Sequence, residues 1–374
     1  MLNAHFSGGL TTFGPMYEPW LKAAEKPLAS LPAHTFGKHL RPRARKIDVA
    51  LVGLDPEVAK KTREQLFSTS WAFGKLVVRD LGNLRKTTPD FVIPLLRELH
   101  TAGITPVLIG AAAAPFRAQY LAFAELNRQV SLLSVDRTIQ LNPVGEGDAV
   151  LDNAVHNKGR HRFHLTHIGA QQHLVDPAVF DLFNAQSYEA VSLGPARGDT
   201  AALEPLLRDA DLVGLDVNAI NYHEAPARSG LYPSGFSLQE ASQIAYYAGN
   251  SDKLSSFGLY GLDPAAGSER DTDLTAAAYA QLIWYFLQGF SRRQGDFPAS
   301  SKGMLEYVVD IDAFGKLTFW RSPRSNRWWV QIPAGSKDGE DRHRLVPCTY
   351  EDYLESSGKQ SLPDRLLAAF RRYA

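Results

Sequence analysis

The sequence predicts an α/β protein built on a doubly wound, mostly parallel sheet of eight strands, followed by a small antiparallel β-meander. Short apolar runs rich in β-branched residues alternate with stretches of helical periodicity, which is typical of buried parallel strands joined by crossover helices. Hydrophobic residues make up 44% of the 374-residue chain, enough to bury one large core. The predicted strands cover residues 47–53, 76–79, 105–110, 131–136, 163–169, 188–193, 212–216 and 254–262.

The chain divides into three predicted segments. Residues 1–46 form an N-terminal extension, residues 47–300 the α/β domain, and residues 301–374 a unit that packs on or beside that domain. Between the predicted strands, helical periodicity covers residues 90–101, 114–127 and 273–290.

The C-terminal segment changes from helical periodicity to alternating polarity. Three short runs predict a three-stranded antiparallel meander over residues 305–312, 316–321 and 327–332, closed by a helix over 363–373. Trp328 and Trp329 lie in the third strand, so one ring is expected to face the core and the other to face out. An exposed ring would suit an interface, whereas packing against the main sheet is the structural alternative.

Charge and composition limit the classes of binding partner and the cellular location that we expect for this protein. Lysine plus arginine equals aspartate plus glutamate, at 40 each, so the basic stretch 38–46 is interpreted as a solvated segment rather than a nucleic-acid patch. No run approaches about 18 apolar residues, so membrane insertion is not expected. The one cysteine, Cys348, leaves no intrachain disulfide, and residues 1–10 lack a secretory signal, so a cytoplasmic location is expected.

The end of the strand at 212–216 has the form of a metal site that lacks part of its chemistry. Asp216 and Asn218 alternate around Val217, so both side chains are expected on one face of the strand. Two carboxylates in this arrangement could hold a pair of metal ions. An amide is neutral and a poorer ligand for a hard divalent cation.

This segment, 215–226, with the turn at 232–237, resembles the ureohydrolase superfamily of arginase, agmatinase and formimidoylglutamase. Four strand-end motifs of that family have counterparts here in the same order, within about residues 47–290. The resemblance implies the arginase-like fold, a dinuclear manganese cluster with six ligands, and a glutamate that contacts the guanidinium group of the substrate.

Most of the chemistry that the resemblance implies is absent from this sequence. Asp136 and Asp216 match metal ligands of the family, and Gly261 stands in place of the substrate-contacting glutamate. Two monodentate carboxylates do not make a tight dinuclear site. We therefore predict a vestigial metal site with no catalytic residue and no bound metal. The four ligand positions that have changed are Ala113, Thr138, Gln140 and Asn218.

Two functions are open at this point. The first is a non-catalytic protein without a cofactor, a pseudoenzyme that binds a protein partner or a small ligand; a homo-oligomer stays open. The second is a hydrolase of linear amidines with a rebuilt site that uses manganese. Thr138, Gln140 and Asn218 favour the first, because each can donate a hydrogen bond to a carboxylate that has lost its metal. Alternatively, Asp136 and Asp216 merely cap helices or turns.

Histidines supply two further candidates. Five of them, at positions 156, 161, 164, 167 and 173, are either a displaced metal site or, as we favour, surface and loop residues. His164 and His167 are expected to point to opposite faces of a strand. His223 and Glu224 are either an acid/base pair or, as we favour, an ordinary loop pair.

Overall fold

The structure is a computed structural model that describes residues 20–23, 26–127, 129–145, 147–156, 162–312, 314–332, 344–359 and 361–373. Its main sheet contains β1 (Leu21–Lys22), β2 (Val49–Gly53), β3 (Val78–Leu84), β4 (Thr105–Ile109), β5 (Gln129–Val135), β6 (Arg162–Ala170), β7 (Glu189–Ser192), β8 (Leu212–Asp216) and β9 (Ser256–Tyr260). The spatial order is β1-β3-β2-β4-β9-β8-β5-β6-β7, and only β1 pairs antiparallel. The predicted α/β class is confirmed, and its eight strands gain one short edge strand.

Helices cover both faces of this sheet. The side chains of β2 show the division, because Val49 and Leu51 join one apolar cluster while Ala50 and Val52 join the other. This is the pattern of a strand buried on both faces. The helices are α1 (Phe36–His39), α2 (Pro56–Ser68), α3 (Pro89–Thr101), α4 (Pro115–Ala124), α5 (Asp152–His156), α6 (Pro177–Ala185), α7 (Leu193–Gly198), α8 (Glu204–Asp209), α9 (Leu238–Asn250) and α10 (Glu269–Phe290).

Local sequence fixes where several helices begin. Asp55 caps α2 by accepting bonds from two backbone N–H groups of its first turn. Ser237 and Glu240 form a reciprocal capping box at the start of α9, and Ser268 and Asp271 do the same for α10. These caps set where the chain turns from the strand ends into the helices.

The described part of the C-terminal unit contains a separate antiparallel sheet, and two helices follow its last strand. Its strands β10 (Leu305–Ile311), β11 (Gly315–Arg321), β12 (Trp328–Gln331) and β13 (Leu345–Cys348) pair in that order, followed by α11 (Tyr350–Lys359) and α12 (Asp364–Tyr373). The prediction of three strands was wrong, because β13 adds a fourth. Pro347 obscured it: proline is unfavourable inside a sheet but is tolerated on an edge strand, which β13 is.

Both tryptophans of β12 are buried, so the expectation that one ring faces out was wrong. Trp328 is 6% exposed and stacks on Tyr353 of α11 at 4.6 Å between ring centroids. Trp329 is 1% exposed and lies beneath the guanidinium of Arg208, 4.5 Å from its ring centroid. The two rings do point to opposite faces, but the second face rests on α8 of the main domain instead of on solvent.

Arginine side chains join the unit to the main domain. Arg208 donates to the carbonyl oxygens of Trp328 and Cys348 at 2.9 and 3.1 Å. Arg327 forms an ion pair with Glu204 at 3.0 Å. Because Arg208 is almost completely buried, this contact is an internal joint between the two sheets.

A second joint lies at the amino edge of the main sheet, where the parallel strands begin. Asp209 accepts from Lys253 at 2.9 Å and from Arg372 of α12 at 2.8 Å. Arg372 also lies 3.7 Å from Glu189, which pairs with His164 at 3.3 Å. These five residues are called the amino-edge cluster below.

The segment before β2 also packs on the main domain where the structure describes it. Phe36 is fully buried in the core, while the basic residues of 38–46 are exposed or half-buried. Within the described ranges, no helix is long and apolar enough to cross a membrane.

Candidate functional site

The candidate site lies at the carboxyl edge of the main sheet, where the parallel strands end. Asp136 directly follows β5, and Asp216 is the last residue of the neighbouring strand β8. Gly261 directly follows β9, and Ala113 lies shortly after β4. Since β4, β9, β8 and β5 are adjacent in the sheet, the structure brings these positions together.

Asp216 caps a short turn. β8 ends at this residue, and Val217–Ala219 form a 3-10 helix, so Asn218 does not continue the strand as the sequence analysis expected. Asp216 Oδ1 accepts from the backbone N of Asn218 at 2.8 Å and from its side-chain Nδ2 at 2.7 Å. The two side chains meet because the turn folds the amide back onto the carboxylate that caps it.

Asp136 accepts hydrogen bonds on both carboxylate oxygens. Its Oδ1 accepts from the backbone N of Arg137 at 2.6 Å. Its Oδ2 accepts from Gln140 Nε2 at 2.7 Å and, more weakly, from Thr138 Oγ1 at 3.4 Å. Gln140 and Thr138, which the sequence analysis predicted to stand at former metal-ligand positions, therefore act as donors to this carboxylate.

His167 of β6 holds the backbone behind Asp136. Its Nε2 donates to the carbonyl oxygen of Asp136 at 3.0 Å, and its Nδ1 lies 3.1 Å from the hydroxyl of Ser134. Burial lowers the pKa of His167 to about 4, so the ring is neutral near pH 7 and its Nδ1 accepts from the serine. His167 is thus a buried support of the site.

Arg137 is a site residue that the sequence analysis missed. Its Nη1 donates to Asn218 Oδ1 at 2.8 Å and its Nη2 to the carbonyl of Ser229 at 3.1 Å. The guanidinium lies 4.3 Å from the ring centroid of Tyr232, which is 40% exposed. Asn218 therefore relays between a cation and a carboxylate, with its oxygen towards Arg137 and its nitrogen towards Asp216.

Arg228 supplies a second guanidinium below this layer. Its side chain is buried and donates to the carbonyl oxygens of Val217, Ile220 and Tyr232. Burial lowers its pKa to about 10, while the charge of Asp216 acts in the opposite direction. The arginine stays charged near pH 7, so two guanidinium groups balance the charges of Asp136 and Asp216 when both are ionised.

The two carboxylates are nevertheless strained electrostatically. Burial, and secondarily the charge of Asp216, raise the pKa of Asp136 from 3.8 to about 7, against the lowering effects of Gln140 and Arg137. Burial also raises the pKa of Asp216, although its bonds from Asn218 and the charges of Arg137 and Arg228 oppose the shift. The arginines reduce the desolvation penalty without removing it.

Little free space remains between these groups. Asp136, Asp216, Gln140 and Ala113 line one cavity of about 20 Å³. A cavity of this size holds roughly one water molecule. Phe116 of α4 also lines it, and packs so closely on β8 that a Cβ at Gly214 would lie 2.6 Å from its ring. Bulky side chains thus fill the floor of the site.

Gly261 is fixed by backbone geometry and by contact. Its φ is +88°, in the left-handed region that favours glycine, and a Cβ there would lie 2.1 Å from Asp216 Oδ1. Any side chain at this position, including the glutamate of the family pattern, would displace the carboxylate of Asp216 from its present position. The glycine and the orientation of Asp216 are therefore coupled.

The other histidine candidates do not assemble at this site. His164 and His167 point to opposite sides as expected, but the prediction that they are surface residues was wrong, because neighbouring strands bury both. His161 lies outside the described residues. His223 is exposed, while Glu224 accepts from the backbone N of Leu238 and helps to cap α9.

The residues present do not fit a dinuclear metal centre. Of the residues that the structure describes, two carboxylates line the site, each already accepts hydrogen bonds from nearby donors, and the guanidinium of Arg137 donates to Asn218. A metal ion would have to compete with a fixed cation in the same space. Among the described residues, no group of three or more histidine, cysteine, aspartate or glutamate side chains could hold a metal ion.

Several solved structures share this architecture. Formimidoylglutamase from Bacillus subtilis subsp. subtilis str. 168 matches with a TM-score of 0.60 and 14% identity, over 74% of this chain and 98% of that protein. The chain has the ureohydrolase fold. Proclavaminate amidino hydrolase from Streptomyces clavuligerus matches with a TM-score of 0.56 and 16% identity, over 75% of this chain and 99% of that protein.

A third match comes from a structure that contains manganese. Formiminoglutamase from Trypanosoma cruzi, with Mn²⁺, has a TM-score of 0.55 and 17% identity, over 69% of this chain and 99% of its own. No protein-family model and no curated protein sequence matches the chain. At identities of 14% to 17%, the likeness establishes the fold and leaves the activity to be argued from the site.

Proposed function

We propose that this ureohydrolase-fold protein is non-catalytic and acts by binding a protein partner or a small ligand. One observation carries the proposal: the buried carboxylates of Asp136 and Asp216 are satisfied by Gln140, Asn218 and nearby backbone, with Arg137 and Arg228 as countercharges. This arrangement supplies from within the chain the charge balance that metal ions would otherwise provide. The expected cytoplasmic location remains a prediction.

Hydrolysis of an amidine requires an activated water and room for the substrate carbon beside it. A divalent metal supplies the first by lowering the pKa of bound water, but the donors at this edge do not favour one. Among the described residues, the cavity that Asp136 and Asp216 line has a volume of about 20 Å³, much less than an amino-acid-sized substrate occupies. Both arguments weigh against a hydrolase.

The alternative is a hydrolase of linear amidines with a rebuilt, manganese-dependent site. The observation that favours it is the fold, since the matching structures include a formimidoylglutamase and an amidino hydrolase. Such an enzyme would need Arg137 to leave Asn218 and Tyr232 before a metal and a substrate could enter. The two functions therefore differ in a measurable property, the uptake of manganese.

The deciding experiment supplies manganese to protein purified without a chelator. We expect no tightly held metal in elemental analysis and no release of urea or formamide above background from arginine, agmatine or formimidoylglutamate. About two equivalents of manganese, the content of a two-metal site, together with manganese-dependent turnover, would overturn the proposal.

Variants of the site sharpen this test. Asn218→Asp alone should recover no metal, because Arg137 pairs with the new carboxylate. We expect a variant with five substitutions to bind manganese. It combines Arg137→Ala with four ligand changes, Ala113→His, Thr138→His, Gln140→Asp and Asn218→Asp. The matched control carries the same four ligand changes and retains Arg137. If this control binds manganese equally well, the arginine is not the barrier to metal entry.

A further inference from the structure

β10 forms one edge of the C-terminal sheet. All seven of its residues pair with β11, and no described strand pairs with its other side. In an edge strand, alternate residues direct their N–H and C=O groups away from the sheet, where they can pair with another chain. Within the described part of the chain, β10 therefore presents a row of backbone donors and acceptors.

The two faces of β10 differ sharply. On its inner face, Tyr307 packs against Tyr353 of α11 with 5.6 Å between ring centroids, and Val309 is buried. On its outer face, Glu306, Val308 and Asp310 are all exposed, and Val308 is 58% exposed. The inner face of the strand therefore packs against the unit, and its outer face is exposed to solvent.

The charges of the outer face select a partner. Glu306 and Asp310 flank Val308, and Asp312 continues the acidic row. On β11, Lys316 stands opposite Asp310. Trp320 stands opposite Glu306, so no lysine or arginine of β11 is at that register position. Opposite charges across paired strands stabilise a sheet, whereas like charges destabilise it.

A second copy of this chain is a poor partner for the strand. If two β10 strands paired antiparallel along their full length, Val308 would face Val308 and each Glu306 would face an Asp310. Two pairs of like charges would then lie directly across the new ladder. A segment with lysine or arginine at the two flanking positions would convert both pairs into attractions.

We propose that β10 receives a basic, extended segment of a partner protein as an added strand. The segment places basic side chains opposite Glu306 and Asp310 and an apolar, β-branched side chain opposite Val308. Main-chain hydrogen bonds supply affinity, and the alternate side chains supply specificity. This surface rests on the proposed binding function and gives it a location away from the carboxyl edge.

The probe is a labelled peptide, Thr-Lys-Thr-Val-Thr-Lys-Thr, whose symmetric pattern suits a parallel or an antiparallel register. Its partner probe carries glutamate in place of both lysines. Binding is followed by fluorescence anisotropy, and hydrogen exchange reports protection of the β10 amides. The test variant is Glu306→Lys with Asp310→Lys. The control is Glu64→Lys with Asp181→Lys, which makes the same charge change on exposed positions of α2 and α6.

We expect the lysine peptide to bind the wild type and the control, and to protect β10 from exchange. The test variant should bind it about tenfold more weakly, since two attractions become repulsions, and should bind the glutamate peptide instead. This exchange of preference also shows that the variant is folded. Equal binding to the test and control variants, or no binding up to about 1 mM, overturns the proposal and leaves the acidic row as a guard against self-association.

Assays on the same preparation separate the two proposals. If the lysine peptide binds and manganese-dependent hydrolysis is also found, the strand surface stands and the non-catalytic function falls. If the peptide does not bind and no hydrolysis occurs, the strand surface falls and the non-catalytic function stands.

Discussion

The two edges of the main sheet treat buried carboxylates in opposite ways. At the amino edge, Asp209 contacts the cations of Lys253 and Arg372 directly. Burial would raise its pKa, but these contacts outweigh burial and lower it. At the carboxyl edge, the oxygens of Asp136 and Asp216 accept from amide, hydroxyl and backbone groups, and burial raises the pKa of both.

This difference distinguishes a cluster whose charges stabilise the fold from a site whose charges do not. The amino-edge cluster joins α12 to the main sheet with direct ion pairs, so its charged forms stabilise the fold. The carboxyl edge retains two carboxylates whose charged forms the fold disfavours. Buried carboxylates with raised pKa values cluster at functional sites, and this is why the carboxyl edge is the candidate site.

The largest effect is expected at the amino edge. Arg372→Ala leaves Asp209 and Glu189 without one of their buried cationic partners, so the free energy of unfolding should fall by roughly 3 kcal/mol. Arg371→Ala, at the exposed neighbouring position, is the matched control and should change stability little. Urea unfolding measures both. Equal stability of the two variants would show that the amino-edge cluster does not join the two units.

A smaller effect, the difference between two glycine variants, is expected where Gly261 approaches Asp216. Gly261→Ala adds a Cβ at φ +88° and 2.1 Å from the carboxylate, whereas Gly303→Ala adds one at φ +82° with nothing within 4 Å. Both variants carry the cost of a left-handed backbone, about 1 kcal/mol. Only the first carries a steric conflict, about 1–3 kcal/mol more. Thermal unfolding of the pair isolates that conflict, and equal losses would mean that Asp216 moves freely.

The last effect is gradual and concerns the pH dependence of stability. Because the folded-state pKa of Asp136 is raised from 3.8 to about 7, its stabilising contribution is complete below 3.8 and is lost as pH rises through about 7. In Asp136→Asn this position cannot ionise. The difference in unfolding free energy between wild type and variant should therefore drift in favour of the variant across that window. A difference independent of pH would place Asp136 in a more solvated setting.

The carboxylates of the candidate site and their amide donors could be predicted from the sequence, but its two arginines could not be predicted in the same way. The strand ends predict that Asp136 and Asp216 are neighbours, and side-chain chemistry predicts that Gln140 and Asn218 donate to them. Arg137 had a visible signal, a cation directly after Asp136 in the sequence. Arg228 had none, because its role depends on three backbone carbonyls that converge only in the folded chain.

The C-terminal unit shows a different limit. Alternating polarity predicts β10, β11 and β12. It also predicts which face of the sheet Trp329 lies on, but not which residues pack against that face. The ring is buried because Arg208 of α8 covers it, a contact between residues far apart in the sequence. Strand β13 escaped because four residues with an internal proline carry no periodic signal.

The contact between Gly261 and Asp216 also bears on protein engineering. A designer who wished to install a two-metal catalyst on this backbone could not proceed one substitution at a time. The guanidinium of Arg137 already donates to Asn218, where a new metal ligand would have to stand. A glutamate at position 261 would clash with the carboxylate of Asp216, which the metal site would need. The loop after β9 would have to be redesigned together with the ligand set. The first useful library for such a catalyst would therefore randomise position 261 and its neighbours jointly with Arg137.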